Sequence, residues 1–326
     1  MPATSPAPTS AVTNLRPDLR DALTEFDLQR NEARMIGLDV MPSIDVDLQA
    51  GTFPKIKIES LLRAVATARN SNGTYAQSDF KFDTDTYATE EHGLEVPVDE
   101  RNKRLYRYLI DSELIAARLS RHGLLLNQEK RIAAAVFNTT TWTPTNAATA
   151  WATIASAVPI TDVEARVQSL YTAGIVANCL IMSWKAFRDL RNTTQVIDRI
   201  TASGAGQPAK AEDVTIAMLE QVFALEHILV GAAQYNSANE GATPVIAPVW
   251  SDGLVAVCRV AAGNGATLED PCVGRTFHWS ADGSQIGGTF ESYHVEARRG
   301  DVVRNRMETH EKVIYTTANQ LIDITP

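Results

Sequence analysis

The chain has 326 residues, 44% apolar and 21% charged, and its 39 acidic and 30 basic side chains leave a formal net charge of −9 with the six histidines neutral. A chain this long buries a core without metal or disulfide staples, and the composition excludes a disordered or highly charged one. The negative total argues against tight sequence-independent binding of nucleic acid, which needs Lys and Arg to displace counterions from phosphates.

Residues 1–14 set Pro2, Pro6 and Pro8 among Ala, Ser and Thr, the composition of a flexible tail. With no basic n-region and no apolar h-region this is no secretory signal, so residence in the cytosol is expected. Pro17 and the spacing of Leu19, Leu23 and Phe26 predict a short amphipathic helix over 17–34. From Phe53 to Ile58 apolar and basic residues alternate, as in a strand with one buried face.

Residues 59–98 hold no helical period, carry the turn signal Asn72-Gly73 and alternate through Phe80 and Phe82 before Tyr87, which predicts a long two-stranded excursion. Between 79 and 100, eight acids (Asp79, Asp83, Asp85, Glu90, Glu91, Glu95, Asp99, Glu100) face Lys81 alone. The sign then inverts: from 101 to 131, eight bases outweigh Asp111, Glu113 and Glu129. Leu105, Leu109, Leu114, Leu125, Ile132 and Val136 predict a helix over about 105–138, weakened or bent at Gly123. At 1.5 Å per residue it would be roughly 50 Å long, too long to pack within one compact domain. A polar linker over 139–150 marks a boundary. Residues 132–161 carry no charge, yet their threonines, Asn138 and Asn146 make the stretch too polar to cross a membrane.

Beyond the linker the elements alternate. Helices are predicted over 160–173 (closed by Gly174), 184–191 and 211–224, and strands over Cys179–Met182, His227–Val230, Leu254–Val260 and Thr276–Trp279. Residues 288–324 are rich in β-formers and are expected to pair with the early strand near residue 56.

Motifs of common chemistry are missing. Cys179, Cys258 and Cys272 form no CxxC pair and read as reduced, buried thiols. Gly263-Asn-Gly265 lacks the third glycine of a dinucleotide loop, and the stretch from Gly204 to Lys210 lacks the Gly-Lys-Ser/Thr ending of a phosphate loop. His92, His278 and His294 lie in strand-like surroundings without a third ligand or a nucleophile, so they read as structural. No catalytic residue, metal site or cofactor is expected.

The run from Ala177 to Asn192 combines a buried strand, a turn and a short helix bearing an aromatic residue, and Val196–Ile200 continues it. Downstream come Leu219–Val222, Glu226–Gly231, Tyr235-Asn236, Gly241, Pro248–Trp250 and Thr276–Trp279; upstream, Asp85–Tyr87, Val98–Glu100 and Glu129–Ala133 with Phe137 and Trp142. In order and spacing, over about residues 50–324, this series resembles the major capsid proteins of tailed bacteriophages. The stretch from Leu61 to Arg69 is more Ala-rich than that family's loop.

The resemblance implies an α+β fold of the Hong Kong ninety-seven type. Its parts would be an N-terminal arm (1–50), an extended loop (59–98), a peripheral domain (51–58, 99–144 and 289–326) with a spine helix over about 105–138, and an axial domain (145–288). It implies a shell subunit and no enzyme: hexamers and pentamers of the chain would form an icosahedral head around double-stranded DNA, assembled in the host cytoplasm and residing in the virion. Implied partners are a portal, a scaffold, decoration proteins and weakly held DNA, with no membrane. Only about fifty residues precede the first matched strand, so the scaffold is expected to be a separate protein. Lys81 is the one lysine between 59 and 100, so non-covalent assembly is expected.

In such a fold the extended loop lies over a neighbouring subunit. Glu90, Glu91 and Glu95 are therefore expected to meet Arg104, Arg107, Arg118 and Arg121 of that neighbour, with Phe80, Phe82 and Tyr87 supplying apolar contact. The alternatives are an intrachain charge balance on two solvated faces, an encapsulin-like bacterial nanocompartment shell, or, from another class, a soluble α/β enzyme built on residues 160–280.

Overall fold

Gly300–Val313 is the longest strand, and three other strands pair with it in a computed structural model that describes residues 14–15, 34–65, 67–69, 71–77, 79, 81–106, 111–202, 214–261 and 270–326. Glu90–Asp99 runs antiparallel to it from Asp99 opposite Gly300 to Glu90 opposite Thr309. Thr289–Val295 pairs with its first half and Gly274–Trp279 with its last five residues. Ser43–Val46 adds in parallel to Gly274–Trp279, and Asn14–Leu15 pairs with Ser292 and Glu291, which completes a six-stranded sheet.

The long helix Ser112–Val136 lies across this sheet. Asp111 caps it, its Oδ1 accepting from the Glu113 and Leu114 amides at 3.1 and 3.2 Å, so the helix begins later than the predicted 105. A separate helix, Glu100–Tyr106, precedes it. At 1.5 Å per residue the 25 residues of Ser112–Val136 span about 37 Å. Gly123 does not interrupt it: a Cβ there would sit 2.7 Å from Leu94 Cδ2, so the glycine lets the sheet come close. Ala116 and Ala117 pack with Val98, Phe290 and Val303, whereas Ile132, Ala133 and Val136 enter a second core with Trp142, Ile181, Trp250 and Leu321. One helix thus joins two cores.

The second core belongs to a five-stranded sheet in the order Thr145–Asn146, Asn319–Asp323, Leu254–Cys258, Cys179–Ser183, His227–Gly231. Side chains alternate across a strand, so Cys179, Ile181, Ala256 and Cys258 face the long helix while Leu180, Met182, Val255 and Val257 face the other way. On that other face Pro159–Thr172, Trp184–Asn192, Thr194–Ala202 and Ile216–Phe223 pack over them through Val163, Leu170, Leu190, Val196 and Leu219. Gly174 closes the first of these helices at φ +84°, as expected of a left-handed C-terminal stop. The fourth starts at Ile216, capped by Thr215, rather than at 211.

Ala50–Ile56 pairs antiparallel with Phe82–Ala88 in a ribbon of its own. This corrects two expectations. The excursion over 59–98 is not two strands turning at Asn72-Gly73: the described residues of 59–81 hold no strand, Phe82–Ala88 turns back onto the early strand and Glu90–Asp99 joins the large sheet. Nor does the early strand pair with 288–324. It touches that stretch through side chains alone, Lys55 Nζ donating to the Ile314 carbonyl and Tyr315 Oη to the Ile56 carbonyl at 3.0 Å. Aromatic packing anchors the ribbon to the large sheet: Tyr87 stacks on Phe277 at 4.7 Å between centroids, and Phe53 lies 5.2 Å from the same ring. The predicted helix 17–34 (Arg34 apart) and the loops at 204–210 and 263–265 fall outside the described residues.

Candidate subunit-association surfaces

The acidic stretch divides into residues held within the chain and residues left to solvent. Glu95 lies opposite Arg304 in the sheet, and its Oε1 accepts from Arg304 Nε at 2.7 Å and from Tyr293 Oη at 3.1 Å. The network continues sideways. Glu291 takes Arg306 Nε at 2.8 Å and Arg304 Nη1 at 3.4 Å, and Arg306 also donates to Asp282. Burial disfavours the charged form of Arg306, but Glu291 and Asp282 outweigh that cost and raise its pKa.

Asp85 is held by Lys312 at 3.0 Å and Asp83 by Lys57 at 3.6 Å. Glu100 pairs with Arg104 one helical turn on. For these acids the intrachain alternative is realised, with Glu95 drawn to Arg304 because their strands are neighbours. Glu90 and Glu91 differ: both are exposed, and no base among the described residues lies within ion-pair distance.

Of the expected apolar contacts, Tyr87 is committed to its own chain by stacking on Phe277, whereas Phe82 is 55% exposed. Leu61 and Leu62 on the same excursion, and Ile115 and Leu119 on the long helix, are also exposed. Phe80 and Arg107 lie outside the described residues. Arg118 and Arg121 are half-buried on the long helix, each already engaged within the chain. Sequence reasoning missed Arg304 and Arg306, whose signal was an Arg-x-Arg alternation placing both on one face of a strand, and the exposed Arg298 and Arg299 in the turn before Gly300.

The halves meet at Glu129. Its carboxylate accepts from the amides of Ile36 and Gly37 at 2.9 and 2.7 Å and from Trp250 Nε1 at 2.6 Å. Burial raises its pKa, and those three donors oppose the shift only in part. Nearby on the same helix, Arg131 grips Glu311 with Nε and Nη2 at 2.7 and 2.9 Å. There burial is outweighed by the guanidinium, and the Glu311 pKa falls.

The histidines fit structural roles. His278 joins Asp45 at 2.7 Å and Ser284 at 3.1 Å, and His294 joins Asp301 at 2.8 Å. All three cysteines are free and buried. Among the described residues no group of three His, Cys, Asp or Glu could hold a metal ion, and no helix is long and apolar enough to cross a membrane.

No protein-family model matches the chain. It is 26% identical to the major capsid protein of Burkholderia phage BcepMu over 242 residues, covering 72% of this chain and 74% of that protein. Its identity to the major capsid protein of Pseudomonas phage JBD67 is 22% over 286 residues, 86% of this chain and 89% of the other. Among solved structures, a phage-related protein from Bordetella bronchiseptica aligns with TM-score 0.65 at 18% identity, covering 95% of this chain and 97% of its own. The capsid of the cyanophage P-SCSP1u aligns with TM-score 0.56 at 10% identity over 87% and 86%. Over most of its length the chain is similar in sequence to two phage major capsid proteins, and it has the Hong Kong ninety-seven type fold of the phage capsid structures.

Proposed function

We propose that copies of the chain assemble as hexamers and pentamers into the icosahedral head that encloses the double-stranded DNA of a tailed phage. The observation that carries this is the likeness to two phage major capsid proteins over 72% and 86% of the chain. The exposed apolar side chains Leu61, Leu62, Phe82, Ile115 and Leu119 support it, since a lone subunit leaves them in water and a neighbour would cover them. Ion pairs set the register of such contacts more than their affinity.

In this reading no reaction is catalysed. The net charge of −9 suits a container, because a lining of the same sign as DNA leaves the packaged polymer mobile. A scaffold supplied as a separate protein, a portal and decoration proteins are the further partners.

Electron microscopy of particles purified from the producing cells tests this. Closed icosahedral particles filled with DNA are the expected result. Shells filled with protein cargo would favour a nanocompartment, and the lack of closed particles would overturn both readings. Uniform, correctly sized shells from the protein alone would remove the need for a scaffold.

A further inference from the structure

We propose that the strand pair Glu90–Asp99 and Gly300–Val313 carries opposite charge at its two ends, and that copies of the chain join head to tail through it, the acidic end of one on the arginine end of the next. This rests on the shell-subunit reading and names a surface through which subunits register.

Arg101, Arg298 and Arg299 stand together at one end. They are exposed, and no carboxylate among the described residues lies within ion-pair distance of any of them. With Arg104 and Leu105 they line a cleft of about 590 Å³ whose acids, among the described residues, are Asp99 and Glu100. Both acids are already used: Asp99 Oδ1 accepts from the Arg101 amide at 3.0 Å, and Glu100 pairs with Arg104. Nearby, Lys103 and His294 share Asp301, and Glu296 is exposed in the turn that carries Arg298. The cleft is left with excess positive charge.

Glu90 and Glu91 stand at the other end, opposite Thr309 and Glu308. Glu308 is itself an acid, taken up by a hydrogen bond from Thr89 Oγ1 at 2.7 Å, and Lys312 close by is held by Asp85. Negative charge therefore accumulates there.

Nine residue steps separate Glu90 from Asp99, about 30 Å at roughly 3.4 Å per residue. That is several times the Debye length of about 8 Å at physiological salt, so the ends cannot neutralise each other within one chain. Complementary patches at opposite ends of one strand pair, when they join different copies, make a heterologous contact, which closes into a ring when the rotation between copies permits. The receiving arginines are therefore Arg101, Arg298 and Arg299 rather than Arg118 and Arg121 of the long helix.

Four variants test this in assembly reactions at low and high salt. Arg101→Glu with Arg298→Glu, and separately Glu90→Arg with Glu91→Arg, should each lower the particle yield about tenfold at low salt. A chain carrying all four changes presents the reversed pair of ends, and its yield should return to within about twofold of wild type. Arg101→Gln with Arg298→Gln, which keeps size and removes charge, should flatten the salt dependence. Circular dichroism and the melting midpoint of the unassembled subunits establish folding in each case. The proposal is overturned if the charge-reversed doubles assemble with wild-type yield and salt dependence, or if the fourfold swap does no better than they do. Wild-type protein that forms no closed particles even in the producing cells, where the scaffold is present, counts instead against the shell-subunit reading.

Discussion

Trp250 Nε1 donates to Glu129 Oε1 at 2.6 Å across 121 residues of sequence. The same carboxylate holds the Ile36 and Gly37 amides, so one acid on the long helix ties together the segment before Ser43–Val46, the helix itself and the strand region of the second sheet. Glu129→Ala leaves three buried donors without an acceptor and should cost ~2–4 kcal/mol of unfolding free energy. Glu129→Gln should cost less, because one amide oxygen still accepts. Urea titration of the unassembled subunit measures both.

The pH dependence separates Glu129 from Glu311. Glu129 has a raised pKa, so protonation favours the folded state. Its stabilising contribution is complete below the unfolded value of about 4.3 and is lost as pH rises through the folded value. Glu311 has a lowered pKa through Arg131. Its contribution is present above about 4.3 and lost as pH falls through the folded value. As pH falls from 7 towards the unfolded value, the stability advantage of wild type over Glu129→Gln should grow. Below pH 4, Glu311→Gln should lose stability less steeply than wild type, read from urea midpoints at each pH.

At Gly231 the Trp250 indole lies against the backbone: a Cβ there would stand 2.2 Å from Trp250 Cδ1. Gly231→Ala must move the indole and with it the bond to Glu129. A loss of ~1–3 kcal/mol is expected, with a shift in tryptophan emission that a change elsewhere in the strand would not give.

Gly123→Ala should behave in the opposite way. Alanine favours a helix interior by about 1 kcal/mol over glycine, and the atom it would meet is the end of the Leu94 side chain, which is 38% exposed and free to swing outward. A small net stabilisation, up to ~1 kcal/mol, should appear in the thermal midpoint.

The ribbon of Ala50–Ile56 and Phe82–Ala88 depends on Tyr87 lying flat on Phe277. Tyr87→Ala should speed amide exchange in the ribbon by roughly tenfold while leaving exchange in Cys179–Ser183 unchanged.

Local signals carried much of the fold. The unbroken apolar run at Cys179–Ser183 reads as a strand buried on both faces, and all five residues are buried. Gly174 closed a helix predicted over 160–173, which runs from Pro159 to Thr172. Asp111, Ser112 and Glu113 held a start signal for the long helix, passed over because the leucine spacing ran back to Leu105. Strand partners were less legible, since alternation tells which face is buried and nothing about which strand lies alongside. That is why Lys55 and Ile56 were expected beside 288–324 and instead lie beside Asp83 and Phe82. The intrachain partner of Glu95 was hidden for a related reason. Summing charge along the chain set an acidic stretch against the basic helix that follows it, whereas the sheet gives Glu95 to Arg304, 209 residues away.

Gly300–Val313 and Asn319–Asp323 each follow in sequence every strand with which they pair. A growing chain therefore holds the parts of both sheets unsealed until these strands leave the ribosome, and one that stalls before residue 300 lacks an inner strand of each. Such a fragment has no finished sheet to offer a neighbour.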